Sequence, residues 1–505
     1  MRYVVGLDAG LTVTKAVVFD ETGAPVGNSS VRVATFSRRE RWVERDGEEL
    51  WLAASRSIAS AIAAAGVRAA DVAAIGVTGH GDGIYLVDAA GRPTRAAVTS
   101  LDTRAQRVID RWRQDGALPA MLDATGQLPF AASPAAVIRW MQDEEPAALA
   151  ASRWALSCKD YITMRLTGLA GTDFTEASES FTDRHSQDYD DRLLDLYGLR
   201  EFGHLRPPIC APDEVVGAVT AAASDLTGLP AGTAVVAGVH DVDASAMGSG
   251  AIRAGQLVMV AGSYSINEVF ADRPTIDERW FIRNAPVHGR WVAMSISPTS
   301  TTTLEWFLRS SGLRVTETDH LAGRTVYDLV RESYESVRDD VNAPLFVPYV
   351  YGSPSDVRSD GAFLDLQSWH RGDHLVRAVL EGITFTHRHH VDALRSQLAV
   401  DQIRLTGGAA RAPQWAQLFA DTLGAPVESV QTTETGALGV ALCALSGVGV
   451  FPGLDSAVGS IQTEVVRHEP DPARTRFLQQ RYERFEQFNR ALDSVGRPTG
   501  EGVVT

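Results

Sequence analysis

A short polar segment near the start of the chain carries the side chains that phosphate chemistry needs. Asp8 ends a strand-like apolar run, and Gly10 allows a tight turn directly after it. Thr12 and Thr14 supply hydroxyl donors, and Lys15 supplies a positive charge. Because a carboxylate can hold a hydrated magnesium ion while hydroxyls and a lysine contact phosphates, the segment indicates phosphoryl transfer. A plain hairpin with a polar turn is the alternative.

A second carboxylate follows another predicted strand. The strand-like residues 234–237 lead through a glycine into Asp241, which begins a predicted helix, where the positive helix end favours negative charge. A primary hydroxyl is a poor nucleophile, and a carboxylate beside it can accept its proton. Asp243 competes for this role, but side chains two positions apart on a helix point about 200° apart, so only one can face a cleft. The alternative is that Asp241 only caps the helix.

The elements that must position these residues read as alternating strands and helices. A helix is predicted from Asp46, with Glu49 completing a capping box, to Ala65, and strands are predicted over 73–77 and 84–87. In the second half, a strand-like run from Gln256 leads into the small turn with Gly262 and Ser263, and a further strand follows. We interpret the repeated strand–turn–strand pattern as two domains of related design around a shared cleft.

The predicted domains divide the chain near its middle. We place the first at residues 1–246 and the second at 247–495, with the boundary after the glycine-flanked segment 238–241. The tail, residues 496–505, lacks a periodic apolar pattern, which is typical of disorder.

Composition restricts the partners. A formal net charge of −16 argues against broad nucleic-acid binding, which needs a basic surface. The three cysteines are far apart and in no CxxC spacing, which fits a reducing compartment. A strand-like run begins almost at once and no apolar stretch is long enough to span a bilayer, so we expect a cytoplasmic protein without a membrane partner.

Two nucleotide-binding classes are excluded by their motifs. The segment from Gly79 to Gly83 is rich in glycine, but the dinucleotide fingerprint requires a helix directly after it, and the β-branched and aromatic run from Ile84 predicts a strand. The sequence contains no GxxxxGK[ST] motif, so it is not a P-loop ATPase.

Several weak motifs in order resemble the FGGY carbohydrate kinases, whose domains have the actin-like, ribonuclease-H-like ATPase fold. The resemblance covers residues 4 to 445 and rests on the segments 8–15, 79–83, 100–104, 159–173, 238–241, 262–263 and 407–421. It implies an α/β protein with two such domains around a central cleft. It further implies ATP and Mg²⁺ as cofactors, and a homodimer is common in the family.

The resemblance also implies roles for matching residues. Asp241 would be the general base and Asp8 would orient Mg²⁺ through water. The nucleotide would contact Thr12, Thr14, Lys15, Gly262, Ser263, Gly408, Ala409 and Ala412. A small sugar or polyol would contact His80, Asp82, Asp102 and Arg104, because recognition of adjacent hydroxyls needs both donors and acceptors. His80 could instead be an ordinary core histidine.

The substrate is less well specified than the reaction. Leu11 and Ser100 replace a threonine and a tryptophan that many family members carry, and the motifs most resemble the L-xylulose kinase and erythritol kinase branches, then the xylulokinases. The prediction is therefore phosphorylation of a ketopentose or short polyol. An ATPase of the same fold without a sugar substrate and a catalytically silent sugar sensor are the alternatives.

A histidine cluster invites a metal interpretation. His387 and His390 are three residues apart on a predicted helix beginning near Asp373, and could share one face. No third ligand occurs at a suitable spacing, so we predict a solvated or interface helix instead.

Overall fold

The computed structural model describes residues 2–312, 325–354, 360–432, 434–461 and 463–495. The chain forms two compact units, each assembled from three segments. The first unit comprises Met1–Ala254, Phe270–Ala293 and Glu434–Thr463, and the second comprises Gly255–Val269, Met294–Thr433 and Glu464–Thr505. The sequence-based boundary between residues 246 and 247 stays a prediction, and the predicted tail 496–505 lies outside the described residues.

The strands are short, and most belong to two sheets. They are β1 Tyr3–Ala9, β2 Val13–Asp20, β3 Pro25–Arg32, β4 Glu44–Arg45, β5 Val72–Gly79, β6 Tyr85–Val87, β7 Ala97–Val98, β8 Trp154–Leu156, β9 Thr172–Asp173, β10 Ile209–Cys210, β11 Val215–Ala218, β12 Ala234–Val236, β13 Gln256–Ala261, β14 Ser265–Ala271, β15 Phe281–Asn284, β16 Trp291–Ser297, β17 Leu345–Val347, β18 Ala362–Leu364, β19 Gln402–Gly407, β20 Val427–Val430 and β21 Val465–His468.

The α-helices of the described residues vary widely in length. They are α1 Gly47–Ala65, α2 Gln106–Gln114, α3 Leu118–Thr125, α4 Pro134–Glu144, α5 Pro146–Ala150, α6 Cys158–Thr167, α7 Phe174–Ala177, α8 Asp191–Tyr197, α9 Ala221–Thr227, α10 Asp241–Gly248, α11 Thr301–Ser311, α12 Val326–Ser336, α13 Gly372–Arg395, α14 Pro413–Leu423, α15 Thr435–Gly447, α16 Leu454–Ser460 and α17 Pro472–Val495.

A six-stranded sheet organises the first unit, in the order β11-β12-β5-β1-β2-β3. β1 pairs antiparallel with β2 and parallel with β5. The apolar side chains of β1, among them Val4, Val5 and Leu7, are fully buried, as expected for a central strand covered on both faces. This sheet places the end of β1 beside the start of β2, so that Asp8 lies opposite Lys15.

Helix α1 begins and ends where local sequence signals predict. The Asp46 carboxylate accepts hydrogen bonds from the backbone N–H groups of Glu48 and Glu49, and Gly66 ends the helix in the left-handed conformation. The predicted helix from Asp46 to Ala65 is confirmed, as are the strands predicted over 73–77 and 84–87, which are β5 and β6.

The sheet of the second unit repeats the arrangement around its central strand. Strands β16, β14, β13, β19, β20 and β21 lie side by side in this order. β13 pairs antiparallel with β14 and parallel with β19, which is the relation of β1 to β2 and β5. The predicted repetition of a strand–turn–strand pattern is therefore confirmed.

Helix α15 returns from the far end of the sequence to the first unit. It packs so closely that a Cβ atom on Gly6 would lie 2.0 Å from the carbonyl oxygen of Ala437, and one on Gly439 would lie 1.9 Å from that of Ala244. Only glycine fits at both contacts, because real Cβ atoms do not approach backbone oxygens so closely. This packing brings the start of α15 next to the end of β1.

Two further sequence predictions can be compared with the structure. The cysteines Cys158, Cys210 and Cys443 are all free. Among the described residues, no helix combines the length and the apolar composition that crossing a membrane requires.

Candidate active site

A carboxylate, an ammonium group and a second carboxylate meet where β1, β2 and α15 converge. The Nζ atom of Lys15 lies 2.9 Å from one carboxylate oxygen of Glu434 and 3.1 Å from the other. Burial raises the pKa of Asp8 to about 6, while Lys15 lowers it and Glu434 raises it. Asp8 therefore lies in a site that lacks enough positive charge to hold its carboxylate fully ionised at pH 6.

The turn between β1 and β2 is held from behind by a buried arginine. The backbone N–H of Gly10 donates to the carbonyl oxygen of Val13 across 3.0 Å, which closes the turn. The guanidinium of Arg45 is fully buried and donates to the carbonyl oxygens of Gly10, across 3.3 Å, and Leu11. Because Arg45 occupies these carbonyl oxygens, the turn is fixed before any ligand binds.

The two predicted phosphate hydroxyls of this turn lie in different surroundings. Thr12 is exposed, whereas Thr14 is fully buried. The Thr14 hydroxyl has no hydrogen-bond partner among the described residues. In this conformation only Thr12 of the pair can contact a ligand from solvent.

Helix α10 presents one carboxylate to solvent and buries another. Its first residue is Asp241, and His240 is the N-cap, with Nδ1 accepting from the backbone N–H of Val242 across 3.3 Å. The Asp241 side chain is 35% exposed and that of Asp243 is 1% exposed. The expectation that only one of the two faces outward is confirmed, and Asp241 is not the capping residue.

The surroundings of Asp241 raise the pKa of its carboxyl group to a value near neutral pH. The pKa of Asp241 rises to about 7, mainly because the protein covers the larger part of the side chain and disfavours its charged form, and repulsion from Asp8 and Asp82 adds to the effect. Arg283 and the backbone N–H of Val242 act in the opposite direction. A carboxyl group with a pKa in this range can accept and release a proton under physiological conditions.

Asp82 is held in an unusual backbone conformation by two contacts. Its φ angle is 54°, in the left-handed region that residues other than glycine rarely adopt. The Nη2 atom of Arg283 lies 3.2 Å and 3.0 Å from the two oxygens of the Asp82 carboxylate, and the backbone N–H of Asp82 donates to Glu179. These contacts offset a conformational cost of about 1 kcal/mol or more.

His80 packs against the interior, and the partly buried Gly81 lies against His240. The imidazole of His80 contacts the hydroxyl of Tyr85 at 3.2 Å and the carbonyl oxygen of Gly81 at 3.3 Å, and burial lowers its pKa to about 3. A Cβ atom on Gly81 would lie 2.0 Å from Nε2 of His240. Gly81 thus allows the loop before Asp82 to approach the residue before Asp241.

Asp102 and Arg104 form a buried network with each other. Both side chains are fully buried, and their guanidinium and carboxylate groups are joined by two hydrogen bonds of 2.9 Å and 2.7 Å. Asp102 also accepts from the backbone N–H of Val43, and Arg104 pairs with Glu44 at 3.0 Å and stacks on Trp42. The structure does not bring these two predicted sugar contacts to the surface beside Asp82.

The second unit holds the other predicted nucleotide residues. The turn with Gly262 and Ser263 is fastened to the start of α11, because the N–H and hydroxyl of Thr301 donate to the carbonyl oxygen of Gly262 across 2.9 Å and 2.6 Å. The Gly408 N–H donates to the carbonyl oxygen of Ala261, which lies directly before this turn. Ala409 is buried and Ala412 precedes α14. Gly262, Ser263 and Gly408 are therefore close together within one unit.

Of the two predicted alternatives for the helix around His387, a solvated or an interface helix, the solvated one is wrong. His387 and His390 are buried on α13 and contact polar side chains of the same unit: Ser265, Asn267 and Ser300 for His387, and Ser295 and Ser297 for His390. A helical periodicity alone could not reveal these distant hydroxyl partners. In the part of the chain that the structure describes, no group of three or more His, Cys, Asp or Glu residues could hold a metal ion.

The first unit thus brings Asp8, Lys15, Asp82 and Asp241 into one electrostatically coupled group. Sequence reasoning missed four residues that complete it, namely Arg45, Glu179, Arg283 and Glu434. Arg45 and Arg283 are buried arginines in segments without a recognisable motif, so only the fold reveals their partners. His240 could have been found, since it directly precedes the candidate base.

Comparisons with known proteins identify the family of the chain. The model for the N-terminal domain of the FGGY family of carbohydrate kinases matches residues 3–248, and that for its C-terminal domain matches residues 257–448. A probable L-xylulose kinase from Pasteurella multocida is 31% identical, covering 98% of this chain and 100% of that protein. An L-xylulose/3-keto-L-gulonate kinase from Escherichia coli is 30% identical, covering 97% of both.

A solved structure extends the similarity to the fold. The xylulose kinase from Rhodospirillum rubrum superposes with a TM-score of 0.88 at 27% identity, covering 98% of this chain and 99% of that one. The two-domain α/β fold inferred from the motifs is therefore confirmed. The chain belongs to the FGGY family of carbohydrate kinases.

Proposed function

We propose that this carbohydrate kinase transfers the terminal phosphoryl group of ATP to a hydroxyl of a small sugar or sugar alcohol, with Asp241 as the general base. The substrate class is a ketopentose such as xylulose or a short polyol. The names of the two relatives, which include L-xylulose, support this class.

The observation that carries the proposal is the placement of Asp241. It is the first residue of α10, its side chain is 35% exposed, and its pKa is about 7. An acceptor hydroxyl beside it can pass its proton to the carboxylate as the new phosphorus–oxygen bond forms. The start of the helix favours the negative charge of an arriving phosphoryl group.

The residues around Asp8 fit a magnesium nucleotide. Asp8 supplies hard carboxylate oxygens, which Mg²⁺ prefers, and its pKa of about 6 shows that nearby positive charge only partly compensates its burial. A divalent cation bound through water would supply that charge and neutralise the phosphates. Thr12, Lys15, Gly262 and Ser263 are assigned to the phosphates. Gly408, Ala409 and Ala412 are assigned to the adenine.

Sugar contacts are assigned to the partly exposed carboxylate of Asp82, whose side chain is 13% exposed. Asp102 and Arg104, also assigned to the sugar by the resemblance, are buried in this conformation, and their side chains pair with each other. His80 would support the same loop from the interior.

The test is an ADP-release assay across ketopentoses, pentitols, tetritols and glycerol, with wild type, Asp241→Asn and Asp191→Asn. Asp191 is a matched control, since it is also the first residue of a helix but pairs with Arg206. We expect Asp241→Asn to lower kcat by about 10³-fold or more while ADP still binds, because general-base catalysis contributes roughly 10²–10⁴-fold. Near-normal turnover by Asp241→Asn would show that Asp241 is not the general base. ADP release independent of any added sugar would favour an ATPase, and sugar binding without turnover would favour a sensor.

A further inference from the structure

A buried arginine lies behind the carboxylate that we assign to the sugar. The guanidinium of Arg283 is 3% exposed and uses each of its nitrogen atoms. Nη2 contacts both oxygens of Asp82, Nε donates to Gln127 across 3.2 Å, and Nη1 lies 3.2 Å from His240 and 3.6 Å from Glu179. Arg283 thereby connects the candidate sugar-binding residue to the residue that precedes the candidate base.

The Arg283 contact determines which part of Asp82 a ligand can meet. The left-handed backbone at Asp82 and its N–H contact with Glu179 fix the direction of the side chain. Arg283 covers the carboxylate from the interior, and only 13% of the side chain remains exposed. An ionised carboxylate has acceptor atoms and no donor, so the accessible part of Asp82 can accept hydrogen bonds from sugar hydroxyls.

The positive charge of Arg283 is already matched. It faces Asp82 and Glu179, while the ammonium group of Lys15 faces Glu434. Arg283 and Lys15 thus face carboxylates, whereas the guanidinium of Arg45 is fully buried and donates to carbonyl oxygens of the turn. Asp8 and Asp241 add further negative charge to the same part of the first unit when they are ionised. A carboxylate on a substrate would meet like charge at Asp82, and the cation beside Asp82, Arg283, already faces two carboxyl groups.

We propose that Arg283 positions Asp82 as an acceptor for sugar hydroxyls and that the resulting charge balance selects uncharged sugars and polyols over sugar acids. The inference rests on the proposed kinase function and narrows its substrate class. The proposed selectivity would distinguish this chain from the Escherichia coli relative, whose name includes both a neutral ketose and a sugar acid.

The first experiment compares kcat/KM for neutral acceptors and acids of equal length. We would use ketopentoses, pentitols and tetritols beside the corresponding five- and four-carbon aldonates. We expect the best neutral acceptor to exceed the best aldonate by about 100-fold, the effect of an uncompensated like charge in a partly buried site. A ratio below about 10 would overturn the inference and leave the kinase function intact. If none of the compounds is phosphorylated, the proposed kinase function itself is refuted.

The second experiment changes the charge balance. In Asp82→Asn, Arg283 keeps its charge but loses its principal partner, so we expect kcat/KM for neutral acceptors to fall by about 100-fold and the neutral-to-acid ratio to fall below about 10. An unchanged ratio would show that Asp82 and Arg283 do not control selectivity. Because aldonate turnover is measured in the same protein, loss of folding cannot imitate the expected result.

The third experiment separates positioning from general stability. We expect Arg283→Met to raise KM for the acceptor by about 10- to 100-fold with KM for ATP unchanged. Arg283→Lys should recover only part of the loss, because lysine restores the charge but not the planar fork. Arg279→Met is the matched control, since Arg279 makes a similar two-bond contact with Asp277, at 2.8 Å and 2.7 Å. Equal effects of Arg283→Met and Arg279→Met, or equal rises in both KM values, would reject the positioning role.

Discussion

Lys15 on β2 pairs with Glu434, 419 residues further along the chain, across 2.9 Å to the nearer carboxylate oxygen. The pair joins the predicted phosphate turn to the segment that precedes α15. Since the ammonium group must leave Glu434, or be shared with it, to contact a phosphate, the pair sets the charge that a nucleotide meets.

Replacing Lys15 and replacing Glu434 should therefore change the nucleotide affinity in opposite directions. We expect Lys15→Met to weaken binding of Mg-ADP by about 10-fold, which corresponds to about 1.4 kcal/mol, and Glu434→Gln to strengthen it by about 2- to 5-fold. Isothermal titration calorimetry provides the measurement. Both side chains reach solvent, so thermal stability should change little.

The control for these variants is Arg68→Met. Arg68 forms an exposed pair with Asp71 at 2.6 Å and should not influence the nucleotide. If Lys15→Met binds Mg-ADP with wild-type affinity, Lys15 only forms the ion pair with Glu434. That result would favour the alternative that this segment is a plain hairpin with a polar turn.

The raised pKa of Asp241 predicts a pH dependence of turnover. A general base must be unprotonated, so kcat/KM for the acceptor should rise as pH increases from 5.5 to about 7 and level off above it. Initial rates under acceptor-limiting conditions would show this profile. Asp191→Asn should keep it, whereas a flat wild-type profile from pH 5.5 to 8 would exclude a base with this pKa.

The raised pKa of Asp241 also predicts that stability falls with increasing pH, whereas turnover rises. Because the folded pKa lies above the ordinary value of 3.8, the folded state binds the proton more tightly, and stability falls as pH rises from about 4 to 7. Asp241→Asn should therefore raise Tm more at pH 8 than at pH 5. Water reaches 35% of the side chain, so the gain should be small.

Local signals in the sequence account for the framework of the site. The strands β1, β2, β13 and β14 follow from short apolar runs between small polar turns, and α1 follows from its Asp46 cap. Each signal lies within a few residues of the feature that it predicts. The placement of Asp241 at the start of α10 follows in the same way.

Contacts between distant segments account for what the sequence did not reveal. Arg283 and Asp82 are 201 residues apart, and nothing near either residue indicates the other. Asp102 and Arg104 were expected at the sugar, but the packing of Trp42 and Glu44 around them buries both side chains. Such outcomes depend on how whole elements pack, which residue types and spacing do not encode locally.

A glycine in α15 gives a test of the role of Asp8. A Cβ atom on Gly436 would lie 2.7 Å from a carboxylate oxygen of Asp8, so Gly436→Ala must displace that carboxylate. If Asp8 orients Mg²⁺, we expect the apparent Mg²⁺ requirement to rise by about 10-fold, as for the loss of a supporting contact at a metal site. A magnesium titration at saturating ATP and acceptor measures it.

Gly459 in α16 is the matched control for this substitution. Among the described residues, no atom lies within 4 Å of the position that its Cβ would occupy. Gly459→Ala should leave the Mg²⁺ requirement unchanged and stabilise the protein by about 0.5–1 kcal/mol, the helix preference of alanine over glycine. Equal magnesium titrations for both variants would argue against a metal-orienting role for Asp8.

The buried imidazole of His387 predicts how stability responds to acid. Burial lowers its pKa to about 3, from an ordinary value of 6.5. Between pH 6.5 and about 3, the imidazole is therefore protonated in the unfolded chain and neutral in the folded chain. The contribution of His387 to stability is complete above pH 6.5 and is lost as the pH falls toward 3. His387→Gln should lower Tm at pH 7.5, because removing the contacts with Asn267 and Ser300 costs about 1–3 kcal/mol, yet its Tm should fall less than that of wild type between pH 7.5 and 5. Differential scanning calorimetry at both pH values measures these slopes, and the exposed His185→Gln should match wild type. An identical slope in His387→Gln and wild type would mean that His387 takes up a proton in the folded protein as readily as in the unfolded chain.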